Sequence, residues 1–129
     1  MPLKMHQDDM DLAATMLDAA SVSLGKEERL DGESLRPLFQ GKQLQRDSLF
    51  FHYPHFAFHK ANRPGSAIRS GKYKLIQRYD DDSVELFDLE IDLGETKNLA
   101  ATEPDIALQL KGRLQQWLAE TKAGLPEKK

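Results

Sequence analysis

The chain has 129 residues, 40% of them hydrophobic and 30% charged, and its 18 basic and 21 acidic side chains give a formal net charge of −3. This composition is typical of one folded domain, and it argues against a disordered chain and against a nucleic-acid binder, which would carry an overall basic excess. No apolar run approaches the roughly 18 to 20 residues that span a bilayer, the first residues lack the apolar stretch of a signal peptide, and the lack of cysteine excludes disulfides. We therefore expect neither nucleic acid nor membrane as a partner.

The first predicted element is a helix over residues 8–22. Asp8 or Asp9 can cap it, because a short acidic side chain accepts hydrogen bonds from the free amides of the first turn. Apolar residues then recur on one face at helical spacing, namely Leu12, Met16 and Ala20. Residues 23–47 lose this period and contain the turn-forming pair Asp31-Gly32, which predicts an ordered loop with room for one helical turn.

Four short strands are predicted between residues 48 and 89. The first covers residues 48–53, is rich in β-forming residues and stops at Pro54, which cannot donate to a sheet. Tight turns at Ser70-Gly71 and at residues 80–83 separate the later strands. Because short turns make consecutive strands neighbours, residues 48–89 should form an antiparallel meander.

The last predicted element is a helix over residues 103–122. Thr102, with Asp105 three residues later, resembles a capping box, and Pro104 suits the first helical turn. An apolar stripe at helical spacing should cover one face of the sheet; it consists of Ile106, Ala107, Leu110, Leu114, Trp117 and Leu118. The predicted fold class is therefore α+β, a four-stranded antiparallel sheet packed by a long C-terminal helix, with an additional N-terminal helix.

Charge is distributed unevenly along the chain. Between Ser48 and Tyr79 there is no acidic residue, and this acid-free window carries six cations, Lys60, Arg63, Arg69, Lys72, Lys74 and Arg78. A local positive field favours an anionic ligand. The alternative is that these cations face solvent or pair with the acidic remainder of the chain after folding.

Three histidines, His52, His55 and His59, lie at the end of the first strand and in the loop that follows. They are a weak metal signal, because strand residues alternate faces and no Asp, Glu or Cys lies nearby to complete a ligand set, so no metal site is predicted. Together with Arg63 they can donate hydrogen bonds to sulfate, carboxylate or sugar oxygens. We expect these four residues to contact a ligand; the alternative is that the histidines are structural or solvated.

Two acidic segments resemble calcium loops at first sight. Residues 80–83 lack the ligand spacing and the distal glutamate of an EF-hand, and we interpret them as a solvated hairpin turn. In residues 92–95 the carboxylate of Asp92 should accept hydrogen bonds from the backbone that follows it, which again indicates a turn.

Several motifs occur in a fixed order along the chain. They read D-L-A-A-T-M-L-D-A-A-S-V, D-G-E-S-L-R-P-L, L-F-F-H-Y-P-H, I-R-S-G-K-Y-K-L-I, E-L-F-D-L and D-L-G-E-T-K-N-L. In this order and spacing, residues 11–117 resemble the C-terminal subdomain of the sulfatase family. The chain departs from the family pattern at Ala14 and Leu93, where proline is common, and at Ser21, where glycine is common. These departures bear on local turns.

The resemblance implies that residues 1–129 are the C-terminal subdomain of an enzyme that hydrolyses sulfate esters. In the family, catalysis uses a formylglycine made from the Cys or Ser of a C/S-x-P-x-R motif, together with a calcium ion held by Asp and Asn residues. No such motif occurs in this chain. The resemblance therefore assigns no catalytic residue, metal or cofactor here, and it implies a separate N-terminal sulfatase domain as the partner that carries calcium and formylglycine.

The resemblance also implies a role for this part of the enzyme. The subdomain should support the catalytic domain and line the cleft for a sulfated small molecule or glycan, with His52, His55 and also His59 or Arg63 near the alcohol side of the substrate. Family analogy allows a periplasmic or secreted location, and the sequence itself leaves export open. The alternative is an autonomous, non-catalytic module that binds anionic glycans or a protein partner.

Overall fold

A computed structural model of the protein describes residues 10–25, 30–56 and 62–126. The elements in chain order are α1 (Met10–Ala19), α2 (Arg36–Phe39), β1 (Ser48–Tyr53), β2 (Gly65–Ser70), β3 (Tyr73–Arg78), β4 (Val84–Asp88) and α3 (Pro104–Glu120). The α+β class is confirmed. The chain forms two compact units, one up to Leu49 and one from Phe50 onward.

In the first unit, a polar face of α1 holds the following loop. Asp11 is completely buried, and its carboxylate accepts hydrogen bonds from the guanidinium of Arg46 and from the amide of Glu33, the latter at 2.9 Å. The hydroxyl of Thr15 accepts from the amide of Leu35 at 2.9 Å. These bonds satisfy the amides of Glu33 and Leu35 in the segment that follows α1.

The predicted apolar face of α1 is not the buried one. Leu12 is 57% exposed and Met16 is 65% exposed, whereas Asp11, next to Leu12 in the chain, is fully buried. The periodicity correctly indicated a helix. The side that is fixed within this unit is the polar one, because Asp11 and Thr15, four residues apart, accept hydrogen bonds from the loop amides.

The helix also ends earlier than predicted, at Ala19 rather than residue 22. Ser21 adopts a left-handed φ of 56° and donates its amide to the carbonyl of Asp18 at 3.1 Å, while the amide of Val22 reaches the carbonyl of Leu17 at 2.9 Å. This bond pair is the Schellman arrangement that closes a helix, and its left-handed position favours glycine. Residues 8 and 9, the predicted cap, lie outside the described residues.

The sheet is the predicted meander, with strand order β1-β2-β3-β4. Strands β2 and β3 pair antiparallel from Gly65↔Arg78 to Ser70↔Tyr73, around a two-residue turn in which Gly71 has a φ of 56°. Strands β3 and β4 pair antiparallel from Tyr73↔Asp88 to Gln77↔Val84. All four predicted strands are therefore present, and β1 has the predicted bounds of 48–53.

Helix α3 covers one face of the sheet. Its buried residues are Ala107, Leu110, Leu114 and Leu118, and they pack with Ile68, Leu75 and Leu86 of the sheet. The ring of Trp117 stacks on Phe50 of β1, with ring centroids 5.0 Å apart. The predicted apolar stripe is confirmed, since all of its members are buried or partly buried in this cluster.

The opposite face of the sheet carries its own small cluster of Ala67, Ile76 and Phe87. Leu75 and Ile76 belong to different clusters, as the alternation of side chains along a strand requires. This opposite face also bears the exposed aromatic side chains of Phe51 and Tyr53.

The predicted capping box of α3 is wrong. The residue that precedes the helix is Glu103, and it makes no side-chain capping bond, while the hydroxyl of Thr102 donates to the carbonyl of Leu99 at 3.2 Å. Thr102 is thus used in the preceding turn, and Pro104 begins the helix as expected. Helix α3 ends at Glu120, two residues before the predicted end, through a second Schellman arrangement at Lys122.

None of the helices in the described ranges is both long and apolar enough to cross a bilayer.

Candidate functional site

The end of the sheet where β1 stops and β2 begins forms a cleft on the face opposite α3. Two adjoining cavities of about 320 and 360 Å³ share Tyr53, Arg63 and Arg78 in their walls, and we call them together the basic cleft. The strand register explains why Arg63 and Arg78 line the same cleft, because Arg78 is paired with Gly65, two residues after Arg63, at the start of β2. Phe51 and Lys74 extend the cleft along the sheet, and Asn62 lies at its outer end.

Arg63 is fixed by the turn between β3 and β4. Its Nε and Nη2 atoms donate to the carboxylate of Asp80 at 2.7 and 2.8 Å, and Nη2 also lies 2.7 Å from Asp81. The bonds to Asp80 raise the pKa of Arg63 above its ordinary value, and the same bonds lower the pKa of Asp80. Nη1 takes part in none of these contacts, so the two N–H groups of this nitrogen are not used by Asp80 or Asp81.

The other cations of the cleft are held in the same way. Nε of Arg78 donates to Glu85 at 2.8 Å, and Nζ of Lys74 donates to Glu95 at 2.6 Å. Outside the cleft, Lys72 pairs with Asp88 at 2.6 Å. Of the acid-free window, four cations thus pair with carboxylates that come after Tyr79 in the sequence, as one of the two alternatives predicted.

His52 lies on the face covered by α3. Its Nδ1 is 2.6 Å from the hydroxyl of Ser66, which is in turn 2.6 Å from the hydroxyl of Tyr79. Its Nε2 is 2.9 Å from the carbonyl oxygen of Gly124, and its ring meets the edge of Tyr79. Both ring nitrogens are therefore engaged within the domain, on the side of β1 away from the basic cleft.

His55 lies near the basic cleft. Its ring contacts the edge of the Tyr53 ring, with centroids 5.9 Å apart, and its side chain is exposed. The structure therefore places His55 against Tyr53, which shares a cavity wall with Arg63, whereas His52 lies on the other face of the sheet. His59 lies outside the described residues, as does Lys60.

Both acidic segments are turns, as predicted. The carboxylate of Asp81 accepts from the amide of Ser83 at 3.0 Å, and Asp92 accepts from the amides of Thr96 and Lys97, each at 2.9 Å. Hydrogen bonds from Ser83, with a further contribution from Arg63, lower the pKa of Asp81 to about 2. Within the described ranges, no group of three or more His, Cys, Asp or Glu side chains could hold a metal ion.

Sequence reasoning did not select Phe51, Tyr53 or Arg78 for the site. The signal was present in the hairpin register, because the turn at Gly71 pairs Ser70 with Tyr73 and, counted outward, places Arg78 opposite Gly65. The alternation of β1 likewise puts Phe51 and Tyr53 on the face that His52 does not share.

The family model described as N-sulphoglucosamine sulphohydrolase, C-terminal, matches residues 3–123. A sulfatase of Formosa agariphila is 34% identical over 129 residues, which cover 88% of this chain and 23% of that protein. Arylsulfatase K of Mus musculus is 34% identical over 112 residues, which cover 81% of this chain and 20% of that protein.

The fold recurs in solved structures. One structure, of a protein in complex with its substrate D-glucosamine-2-N,6-O-disulfate, superposes with a TM-score of 0.74 at 27% identity. The superposition covers 92% of this chain and 25% of that one. The chain thus spans about a quarter or less of the length of the relatives that it matches.

Proposed function

The chain belongs to the sulfatase family and matches the C-terminal domain of that family, and from this premise we propose that it is part of a larger enzyme that hydrolyses sulfate esters of glycans. The match over residues 3–123 is the observation that carries the proposal. The substrate class is supported by the related structure that holds a disulfated glucosamine. The arrangement of donors in the basic cleft is compatible with such an anion.

The reacting groups belong to another part of that enzyme. This chain contains neither cysteine nor a serine in the S-x-P-x-R pattern. Its turn carboxylates are also committed, Asp80 and Asp81 to Arg63 and Asp92 to backbone amides, so the described residues do not fit a calcium ion. We assign formylglycine and calcium to the N-terminal sulfatase domain, and no step of the reaction to this chain.

The role that we propose for this chain is support and substrate contact. The core between α3 and the sheet supports this part of the domain. Arg63 lies in the cleft wall beside Tyr53, and the ring of His55 contacts Tyr53, which supports a substrate contact by both residues. His55 and Arg63 are therefore the proposed contacts. For His52, whose ring nitrogens are engaged, and for His59, substrate contact stays a prediction.

The first experiment separates catalysis from support. The 129-residue chain, purified alone, should not release sulfate from an aryl sulfate or from D-glucosamine-2-N,6-O-disulfate, whereas the natural polypeptide that contains it should. Measurable turnover by the isolated chain would overturn the assignment of the reacting groups. The coding sequence upstream offers a second check, since an α/β region with C/S-x-P-x-R is expected there.

The second experiment tests the contact residues in that full polypeptide. Substitution His55→Ala should raise KM for the sulfated sugar and leave the unfolding temperature unchanged, because the side chain is exposed. The matched control is Phe39→Ala, which removes another exposed ring from the short helix α2. Equal KM values for both variants and the natural enzyme would remove His55 from the substrate site.

A further inference from the structure

We propose that the basic cleft is itself a binding site for a sulfated saccharide, with a sugar ring against Phe51 and Tyr53 and a sulfate group on Arg63 and Arg78. The class of ligand follows from the proposed function, but binding in the cleft requires no catalysis and can be measured on this chain alone. The proposal goes beyond that function because it gives the C-terminal domain its own recognition site.

The aromatic wall suits a sugar ring. Phe51 and Tyr53 are two residues apart on β1, so their side chains stand on the same face of the sheet. The two side chains are 46% and 47% exposed. By contrast, Phe50, which immediately precedes Phe51 in the chain, points to the other face of the sheet and stacks on Trp117. Exposed, adjacent rings offer an apolar surface to the C–H face of a pyranose, with the Tyr53 hydroxyl as a polar handle.

The polar walls supply hydrogen-bond donors. The donors in the walls of the two cavities include Arg63, Lys74, Arg78 and Asn62. Among the described residues, no aspartate or glutamate lines either cavity. The carboxylates that fix the arginines use Nε and Nη2 of Arg63 and only Nε of Arg78. The remaining guanidinium donors are oriented in advance, and such planar donors suit the oxygens of a sulfate group.

Charge and size make the proposal more specific. Because Arg63, Lys74 and Arg78 are all paired with carboxylates, two of them on Arg63, the cleft carries no excess positive charge. It should therefore discriminate through directed donors together with the ring contact, so free sulfate should bind weakly. Cavities of about 320 and 360 Å³ fall in the range of roughly 300 to 1,000 Å³ found for small-molecule sites. One or two sugar units would fit this space.

The direct test is a titration of the ¹⁵N-labelled chain, followed by amide chemical shifts. With D-glucosamine-2-N,6-O-disulfate we expect saturable shifts that centre on Tyr53, Arg63 and Arg78. Inorganic sulfate and unsulfated D-glucosamine, as separate probes, should each bind at least about tenfold more weakly, since each offers only half of the contacts. Inorganic sulfate binding as tightly as the sulfated sugar, or shifts that lie away from the cleft, would overturn the proposal.

Variants define the walls. Tyr53→Ala and Arg78→Gln should each weaken binding about tenfold, which corresponds to the loss of one good contact. Arg36→Gln is the matched control, because Arg36 also pairs with a single carboxylate, that of Asp18 at 3.2 Å, but does not line the cleft. Retained amide spectra show that the variants are folded. An equal loss in the control and the Arg78 variant would refute the site.

The outcome is independent of the proposed enzyme function. Binding by the chain together with a full polypeptide that releases no sulfate would support the cleft and reject the sulfatase proposal. An active full polypeptide whose C-terminal domain shows no saturable binding would support the sulfatase proposal and reject the binding site in the cleft.

Discussion

The Nε2 atom of His52 lies 2.9 Å from the carbonyl oxygen of Gly124, a residue 72 positions further along the chain. Since a carbonyl oxygen can only accept, Nε2 carries a proton, and in the neutral imidazole Nδ1 then accepts from the Ser66 hydroxyl. The Tyr79 hydroxyl can then donate to Ser66, so that every group in the series is satisfied. In this way β1 holds the segment that follows α3.

The first prediction concerns this contact. Replacement His52→Ala should lower the free energy of unfolding by about 1 kcal/mol, the usual net worth of such a hydrogen bond, and should speed hydrogen exchange of amides near Gly124. Nitrogen-15 NMR of the natural chain should show the proton on Nε2. His55→Ala, which removes an exposed imidazole, is the control and should change stability little; equal effects of the two substitutions would show that the contact contributes nothing.

The second prediction concerns the core under α3. Leu114 is fully buried against the sheet, whereas Leu108 on the same helix is 73% exposed. Replacement Leu114→Ala should cost about 2 to 5 kcal/mol of unfolding free energy, because it leaves a cavity, while Leu108→Ala should cost less than about 0.5 kcal/mol. Chemical denaturation of the two variants measures the difference. Similar values for both would place the core elsewhere.

The third prediction concerns Asn98, which completes the outer edge of β4. Its Oδ1 accepts from the amide of Leu86 at 3.0 Å and from the amide of Ala100 at 2.9 Å. Replacement Asn98→Ala should cost about 1 to 3 kcal/mol, because the Leu86 amide loses its partner inside the fold. Asn98→Asp keeps the acceptor and should retain most of the stability. Slow hydrogen exchange at Leu86 in the alanine variant would contradict this reading.

The fourth prediction concerns the left-handed residue after α1. Ser21 has a φ of 56°, a conformation that costs roughly 1 to 2 kcal/mol for a residue with a Cβ. Replacement Ser21→Gly should therefore stabilise the protein by about 0.5 kcal/mol after the entropy of glycine is counted. Ala13→Gly, at an exposed position inside the helix, should instead destabilise it. Thermal unfolding of both variants gives the sign, and destabilisation by Ser21→Gly would show that no strain is relieved.

The fifth prediction concerns acid. Amide donors from Lys97 and Thr96 lower the pKa of Asp92 below its ordinary value of 3.8. A carboxylate whose pKa is lowered by folding stabilises the protein fully above pH 3.8 and loses that contribution as pH falls through the lowered value. Unfolding free energy measured between about pH 5 and 2 should therefore fall less steeply in Asp92→Asn than in the natural chain. Glu90→Gln, at an exposed carboxylate nearby, is the control; parallel curves for Asp92→Asn and the natural chain would contradict the prediction.

The sequence by itself determined the antiparallel meander and the helix α3 that packs on it. The turn at Ser70-Gly71 fixed the register of β2 against β3, and the helical spacing from Ile106 to Leu118 fixed which side of α3 is buried. Both are local properties, because a strand or helix repeats its side-chain directions every few residues. The ordered motifs likewise sufficed for the family.

Only the tertiary structure decided which polar groups meet. Lys74 pairs with Glu95 across 21 residues and Arg63 with Asp80 across 17, so that most of the acid-free window is neutralised by acids outside it. The structure also placed His52 and His55 in different environments and buried Asp11 rather than Leu12. An ion pair or a buried carboxylate depends on a partner brought near by folding, and no local period of the chain specifies that partner.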